Sequence, residues 1–408
     1  MSTTAVLRDP GFLRLWAGTT ASGLATWALP FVLGLAVLDR GLTATGLGLV
    51  LAARTAGFLV AVPVGGVLAD RYSRRAVVLW AGLAGALATP VIALGLGRSV
   101  LLMSVAAALA GAGQGACRPA FQALTAEVVE QDARQRANAA ITLAVRASTL
   151  AAPAATALLA TVLGTQALLT GIALLWLAAA LLPPRGTPHA PAALPLPQGR
   201  RRALAAPVAL LGEFAEGVRE ARRHPWFLAG LGALTAVVFT GYSVTGVALP
   251  LISRDRYGTE AVLAAALTAY TAGALAGALL MSRRRPRSQG WAALAGLALY
   301  GCAPLSLLLP VHPVLVAVAY LLAGLGIELF NVPWFTATQR EVEPRLLARV
   351  SSLDFLLSYG LAPVGLALLA PAMDHFGATP VLAFCALVCF AAPAAAALTP
   401  SARHFRRR

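Results

Sequence analysis

Twelve apolar runs, each long enough to cross a bilayer, leave this chain very few folds to choose from. They lie near 12–38, 45–68, 76–96, 100–124, 138–163 and 166–182, then 226–252, 261–281, 291–309, 313–338, 351–373 and 378–398. Crossing roughly 30 Å of hydrocarbon takes about 20 residues of helix. In lipid every backbone N–H and C=O must be satisfied within the protein, so runs of this length read as helices. The grouping predicts an all-α integral membrane protein with 12 transmembrane helices in two six-helix bundles, 1–182 and 226–400, joined by a linker at 183–225 and followed by a basic tail at 401–408. Composition agrees: 59% of the 408 residues are hydrophobic, 12% are charged and the mean hydropathy is +0.76. A water-soluble globule needs a more polar exterior than that.

A formal charge of +16 would point to nucleic acid if it sat on one soluble domain. Here the basic residues, all 32 of them arginine, fall mostly in short loops, so nucleic acid is excluded as the partner. One set of alternate loops carries 26 arginines and the other only Arg40, Arg98, Arg254 and Arg256. That bias predicts that both termini are cytoplasmic. Arg8 and Arg14 precede an apolar run too long for a signal-peptide core, so the first helix is expected to be retained. Cys117, Cys302, Cys385 and Cys389 fall in or at the ends of spans and read as small packing residues.

The linker opens with Pro183, Pro184, Pro188, Pro191, Pro195 and Pro197, which keep it extended. From Leu204 to His224, apolar residues at helical spacing beside Glu213, Glu216, Arg219 and Glu220 predict an amphipathic helix on the cytoplasmic surface, acting as a tether. The halves repeat weakly. A shift of 213 sets Gly111 on Gly324, Gly113 on Gly326 and Arg136 on Arg349.

Between the second and third runs stands Gly66-Val-Leu-Ala-Asp70-Arg71-Tyr-Ser73-Arg74-Arg75. This resembles the signature of the major facilitator superfamily, whose usual form has glycine where this chain has Ser73. The resemblance implies that Gly66, Asp70, Arg71, Arg74 and Arg75 sit at the cytoplasmic seam between the bundles and hold the outward-facing state closed. A carboxylate near a helix N-terminus gains about 0.3–1 kcal/mol from the helix dipole, and the start of the eleventh span near Ser351 and Ser352 is a candidate partner. The same loop could instead serve only to fix orientation. In the second half Gly277 to Arg285 can be laid over it, with Met281 in place of the aspartate.

Three further stretches resemble the drug, macrolide and siderophore exporter branch of that superfamily. They are Gly111 to Leu124, with Arg118 and Pro119 at the end of the fourth span; Ala152-Pro153-Ala-Ala-Thr-Ala157 in the fifth, a degraded G-P-x-x-G-G; and the opening Leu7 to Gly18, with its W-x-G. The arginine that many proton antiporters carry before the first of these glycines would fall at Ala107 or Ala108 and is missing.

Charges within spans are costly, at least about 2.5–3.5 kcal/mol at mid-bilayer on insertion scales. Arg54, Arg146 and Arg118 are the cations in or at the ends of spans, and Glu328 and Asp354 the acids. Glu328 is the expected proton carrier, with Asp354 beside it, because burial disfavours an ionised carboxyl; a salt bridge to an arginine is the alternative. Trp27, Phe31, Gln114, Phe239, Tyr242, Thr245, Tyr270, Phe330, Asn331 and Trp334 are expected to line a mostly apolar cavity suited to an amphiphilic molecule. There is no G-x-x-x-x-G-K phosphate loop, and His189, His224, His312, His375 and His404 show no metal spacing or partnered nucleophile. The expectation is therefore no enzyme, cofactor or metal, but a monomeric secondary transporter in membrane lipid that exports a small amphiphilic compound in exchange for protons. The alternative is an uptake carrier or facilitator for an anionic metabolite, with Arg54 and Arg146 as carboxylate clamps.

Overall fold

Helix starts follow the capping chemistry of the short joints. Thr43, Ser73 and Ser99 each accept a hydrogen bond from the backbone N–H three residues on, at 3.0, 3.2 and 3.2 Å, which satisfies one donor that the first helical turn leaves open. The computed structural model describes residues 8–38, 42–186, 202–259, 261–283 and 288–406. Leu7, Arg40, His189, the prolines from Pro188 to Pro197, Arg284 and Arg285 lie outside them.

Among the described residues the first six spans are α1 (Pro10–Leu38), α2 (Ala44–Arg71), α3 (Arg74–Gly95), α4 (Val100–Val128), α5 (Arg134–Leu159) and α6 (Thr165–Leu181). The linker holds α7 (Arg202–Arg222). The seventh span is α8 (Pro225–Val237), two wide π turns at Val238–Tyr242 and Val244–Ala248, and α9 (Leu249–Asp255). Next come α10 (Ala261–Arg283), and then α11 (Gln289–Ala298) and α12 (Cys302–Leu308) joined by a tight turn. The chain continues through α13 (Pro313–Glu341), α14 (Leu347–Gly360) and α15 (Ala362–Phe376) to α16 (Ala378–Leu398). Among the described residues, eleven stretches are long and apolar enough to cross a membrane. The twelfth, α6, is a shorter apolar helix of 17 residues, about 26 Å long. The eleventh span differs most from expectation. It begins four residues earlier, at Leu347, and parts at Leu361, because Pro363 in the first turn of α15 has no N–H to continue the ladder.

The chain packs as two compact units. The first is Met1–Ala137, Ala144–Arg219 and Val342–Leu353; the second is Asn138–Leu143, Glu220–Glu341 and Asp354–Arg408. Each unit thus contains one short helical segment drawn from the other half of the sequence.

In the first unit α2 and α4 approach so closely that side chains are excluded. A Cβ on Gly57 would strike the Ala108 carbonyl, one on Gly111 the Arg54 carbonyl, and one on Gly115 the Phe58 carbonyl. In the second unit α10 and α13 meet the same way, Gly273 facing the Leu321 carbonyl and Gly324 the Tyr270 carbonyl. Small residues at such crossings let backbones touch where no hydrophobic force drives association. These contacts relate α2 to α10 by a shift of 216, whereas α4 and α13 keep 213. That corrects the overlay of the Asp70 loop: Met281 stands in register with Gly65, not with the aspartate, and the residue in register with Asp70 lies outside the described residues. Met281 packs with Ala139 and Val332 in the second unit's core.

The second unit also holds an aromatic cluster. Trp334 stacks on Phe227 and Phe330, with centroids at 4.9 and 5.2 Å, and meets Trp226 and Phe405 at 5.5 and 5.7 Å. Phe405 takes a left-handed backbone, φ 48°, and its carbonyl accepts from Arg340 at 3.1 Å. Phe405 of the tail is therefore part of this core.

Candidate functional site

Asp70 ends α2, where its own helix dipole disfavours a negative charge. The start of α14 supplies what it lacks. The Ala348 N–H donates to Oδ1 at 3.1 Å and the Arg349 N–H to Oδ2 at 2.9 Å, so one carboxylate satisfies two open donors of the first turn. Gly66, one turn earlier, makes the approach possible, since a Cβ there would meet the Ala348 carbonyl and Ser352 Oγ. Arg74 is buried and binds three elements of the first unit together. It donates to the Ala123 carbonyl at 3.2 Å, pairs with Glu127 at 3.0 Å and Asp70 at 3.5 Å, and reaches the Pro344 carbonyl.

Two acids of α7 complete the cluster. Glu213 pairs with Arg71 at 2.9 Å and with Arg349 at 3.1 Å, and Glu216 pairs with Arg349 at 2.6 Å. Glu213 is buried against protein, so this face of α7 packs on the first unit. Arg75 stands apart from the cluster and donates to the Leu181 carbonyl of α6 at 3.3 Å. Glu213, Glu216, Arg349 and Glu127 were missed as site residues. The sequence signals were the carboxylates three apart on α7 and the matches of Arg136 with Arg349 and, one residue further in shift, of Glu127 with Glu341.

Arg54, about ten residues into α2, is half-buried. Its Nη2 donates to Gln114 Oε1 on α4 at 2.7 Å and to the Thr26 carbonyl on α1 at 3.0 Å. Arg118 lies one turn beyond Gln114 and close enough to act on Arg54. Arg118 and Arg146 are also half-buried within the first unit.

In the second unit Glu328 is fully buried on α13, packed beside Gly277 of α10, where a Cβ would touch its side chain. Asp354, 4% exposed, accepts from Trp334 Nε1 and from Ser358 Oγ, both at 3.1 Å. Both donors are neutral. Asn138 and Gln339, also in this unit, exchange amide hydrogen bonds at 2.9 and 3.2 Å, and Asn138 donates to Thr336 at 3.0 Å.

The expected cavity residues divide. Trp27 and Tyr242 are 37% and 45% exposed, and Phe31, Gln114, Phe239, Thr245 and Tyr270 are half-buried. Phe330 and Trp334 are fully buried in the aromatic cluster and Asn331 nearly so. These three are corrected from cavity wall to core: Phe330 and Trp334 pack their rings against other aromatic rings and Asn331 is 5% exposed, so none meets cargo without repacking. The π turns place Phe239 and Tyr242 on the seventh span, where the Phe239 carbonyl and Ser243 Oγ crowd Gly365 of α15. Such turns recur at functional sites.

The sequence profile of the Major Facilitator Superfamily matches residues 15–365. A search of curated protein sequences finds no match. Among solved structures, the human organic anion transporter MFSD10 (TETRAN) is similar, with a TM-score of 0.76 at 16% identity over 95% of this chain and 99% of that one. At that identity the likeness concerns the fold. The profile spans most of the sequence, and its family consists of transporters, not enzymes: this multi-pass membrane protein belongs to the Major Facilitator Superfamily.

Proposed function

We propose that the chain is a secondary active transporter of a bacterial inner membrane, both termini cytoplasmic, that exports a small amphiphilic compound in exchange for protons by alternating access. The drug, antibiotic and siderophore-like natural products are the cargo class, and the chain works as a monomer. The observation that carries the reading is Glu328, an acid with no exposed surface on a membrane-spanning helix. A charge is costly there, and ionisable residues kept within spans mark substrate and proton pathways. The half-buried aromatic and amide residues of the first, fourth, seventh and eighth spans suit an amphiphile better than a sugar, whose hydroxyls need many more polar partners.

The Asp70 clasp supplies the switch. Its carboxylate and the α7 acids hold the first turn of α14 in one arrangement, and releasing two charge-assisted hydrogen bonds lets α14 move. The test uses everted vesicles from a strain overexpressing the protein, energised to an acidic interior. Compounds to which that strain is less susceptible are added, and proton release is followed with a pH-sensitive dye. Wild-type vesicles lose protons on addition; Glu328→Gln vesicles, with the protein present at equal amount, do not. Retained proton release in Glu328→Gln sinks the coupling assignment, and accumulation of cargo in the direction of the cytoplasm sinks export.

A further inference from the structure

We infer that Arg54, oriented by Gln114, anchors the negatively charged head of the cargo, so that the compounds carried are amphiphilic organic anions. The inference rests on the reading of the chain as a carrier of amphiphiles and adds the chemical class that the first unit selects.

Arg54 stands well inside a membrane span, where a guanidinium keeps its charge and finds little water. Among the described residues, every partner it has is neutral or of the same sign. One nitrogen, Nη2, takes both hydrogen bonds, to Gln114 Oε1 and the Thr26 carbonyl. The charge that acts on it is that of Arg118, and among the described residues no carboxylate does. A guanidinium has five N–H donors in a planar fork, so Nη1 and Nε remain to form the paired bonds that a carboxylate or sulfonate accepts.

Geometry also favours a built site over a tolerated defect. The Arg54 backbone is held by the close approach of α2 and α4 at Gly111, and its head is held by acceptors from two other helices, α1 and α4. Arg54 is half-buried, so part of its surface stays open. The second unit repeats the packing and omits the chemistry: Tyr270 stands in register with Arg54 and Ile327 with Gln114. A purely structural need of the helix pair is therefore met without an arginine.

The test is binding, not transport. The purified full chain in neutral detergent is titrated with 2-naphthoate, naphthalene-2-sulfonate and the neutral 2-naphthamide, following tryptophan fluorescence and thermal stability. Wild type is expected to bind the two anions at least about tenfold more tightly than the amide, a difference of about 1.4 kcal/mol. Arg54→Gln loses that preference and binds all three alike. Arg54→Lys keeps the charge but not the fork and retains a reduced preference, which guards against a misfolded Arg54→Gln. The readout is binding and not proton release, so failure of proton coupling and failure of anion selection are read separately. Equal binding of the three by wild type, binding of none, or a preference that survives Arg54→Gln overturns the inference.

Discussion

The helix pair α2 and α4 of the first unit and the pair α10 and α13 of the second are built on one plan and carry opposite chemistry. Gly57 and Gly273, and likewise Gly111 and Gly324, bring a helix against its neighbour's carbonyl at matching positions. On that common scaffold the first unit places Arg54 and Gln114 where the second has Tyr270 and Ile327, and the second places Glu328 where the first has Gly115. Backbone contact is what the repeat preserves. The polar residues are where the halves diverge, as expected if one unit selects the cargo's charge and the other carries the proton.

The hardest blow to that comparison falls on its glycines. Gly111→Val and Gly324→Val, made separately, each drive a side chain into a backbone carbonyl that has no room to withdraw. Each should cost about 3 kcal/mol or more, seen as a large fall in melting temperature and loss of monodisperse protein in detergent. Equal damage from both sharpens the equivalence of the two pairs. A tolerated Gly324→Val beside a ruinous Gly111→Val breaks it.

A second contrast concerns the segment each unit draws from the other half of the sequence. Val342–Leu353 is held in the first unit by carboxylates, whereas Asn138–Leu143 is held in the second by the neutral pair of Asn138 and Gln339. Asp70→Asn keeps the shape but replaces one accepting oxygen with a donor that faces an N–H. It should cost about 1.5–3 kcal/mol, the range for hydrogen bonds to a charged group. Asn138→Ala should cost about 1 kcal/mol. Hydrogen exchange checks both: the Ala348 and Arg349 amides should lose protection in Asp70→Asn and keep it in Asn138→Ala.

Much of this architecture was legible because membrane-length hydrophobicity is a one-dimensional signal. Every span was placed, and so was the Asp70 loop, since its residues are contiguous. The partner of Asp70 was placed near Ser351 and Ser352; the bonds run to Ala348 and Arg349, one turn earlier, because α14 begins at Leu347. What could not be read were contacts between distant segments. Nothing local tells Glu213 that Arg349 faces it 136 residues away, or Phe405 that its ring closes the cluster around Trp334. The overlay that placed Met281 on Asp70 failed for a related reason: matching composition in alanine-rich helices fixes no register, whereas the carbonyl facing a glycine does.

The smallest expected effect bears on the one departure from the superfamily signature. Ser73 sits between α2 and α3 with an extended backbone, φ −163° and ψ 126°, and its Oγ accepts from the Ala76 N–H at 3.2 Å. The usual glycine would reach the same conformation and leave that donor to water. Ser73→Gly should therefore cost only a few tenths of a kcal/mol, and Ser73→Ala about 1 kcal/mol, a difference readable in melting temperature while transport stays unchanged in both. If Ser73→Gly instead weakened transport as Asp70→Asn does, residue 73 would belong to the clasp around α14. The cap that starts α3 and the carboxylate that holds α14 would then act as one device.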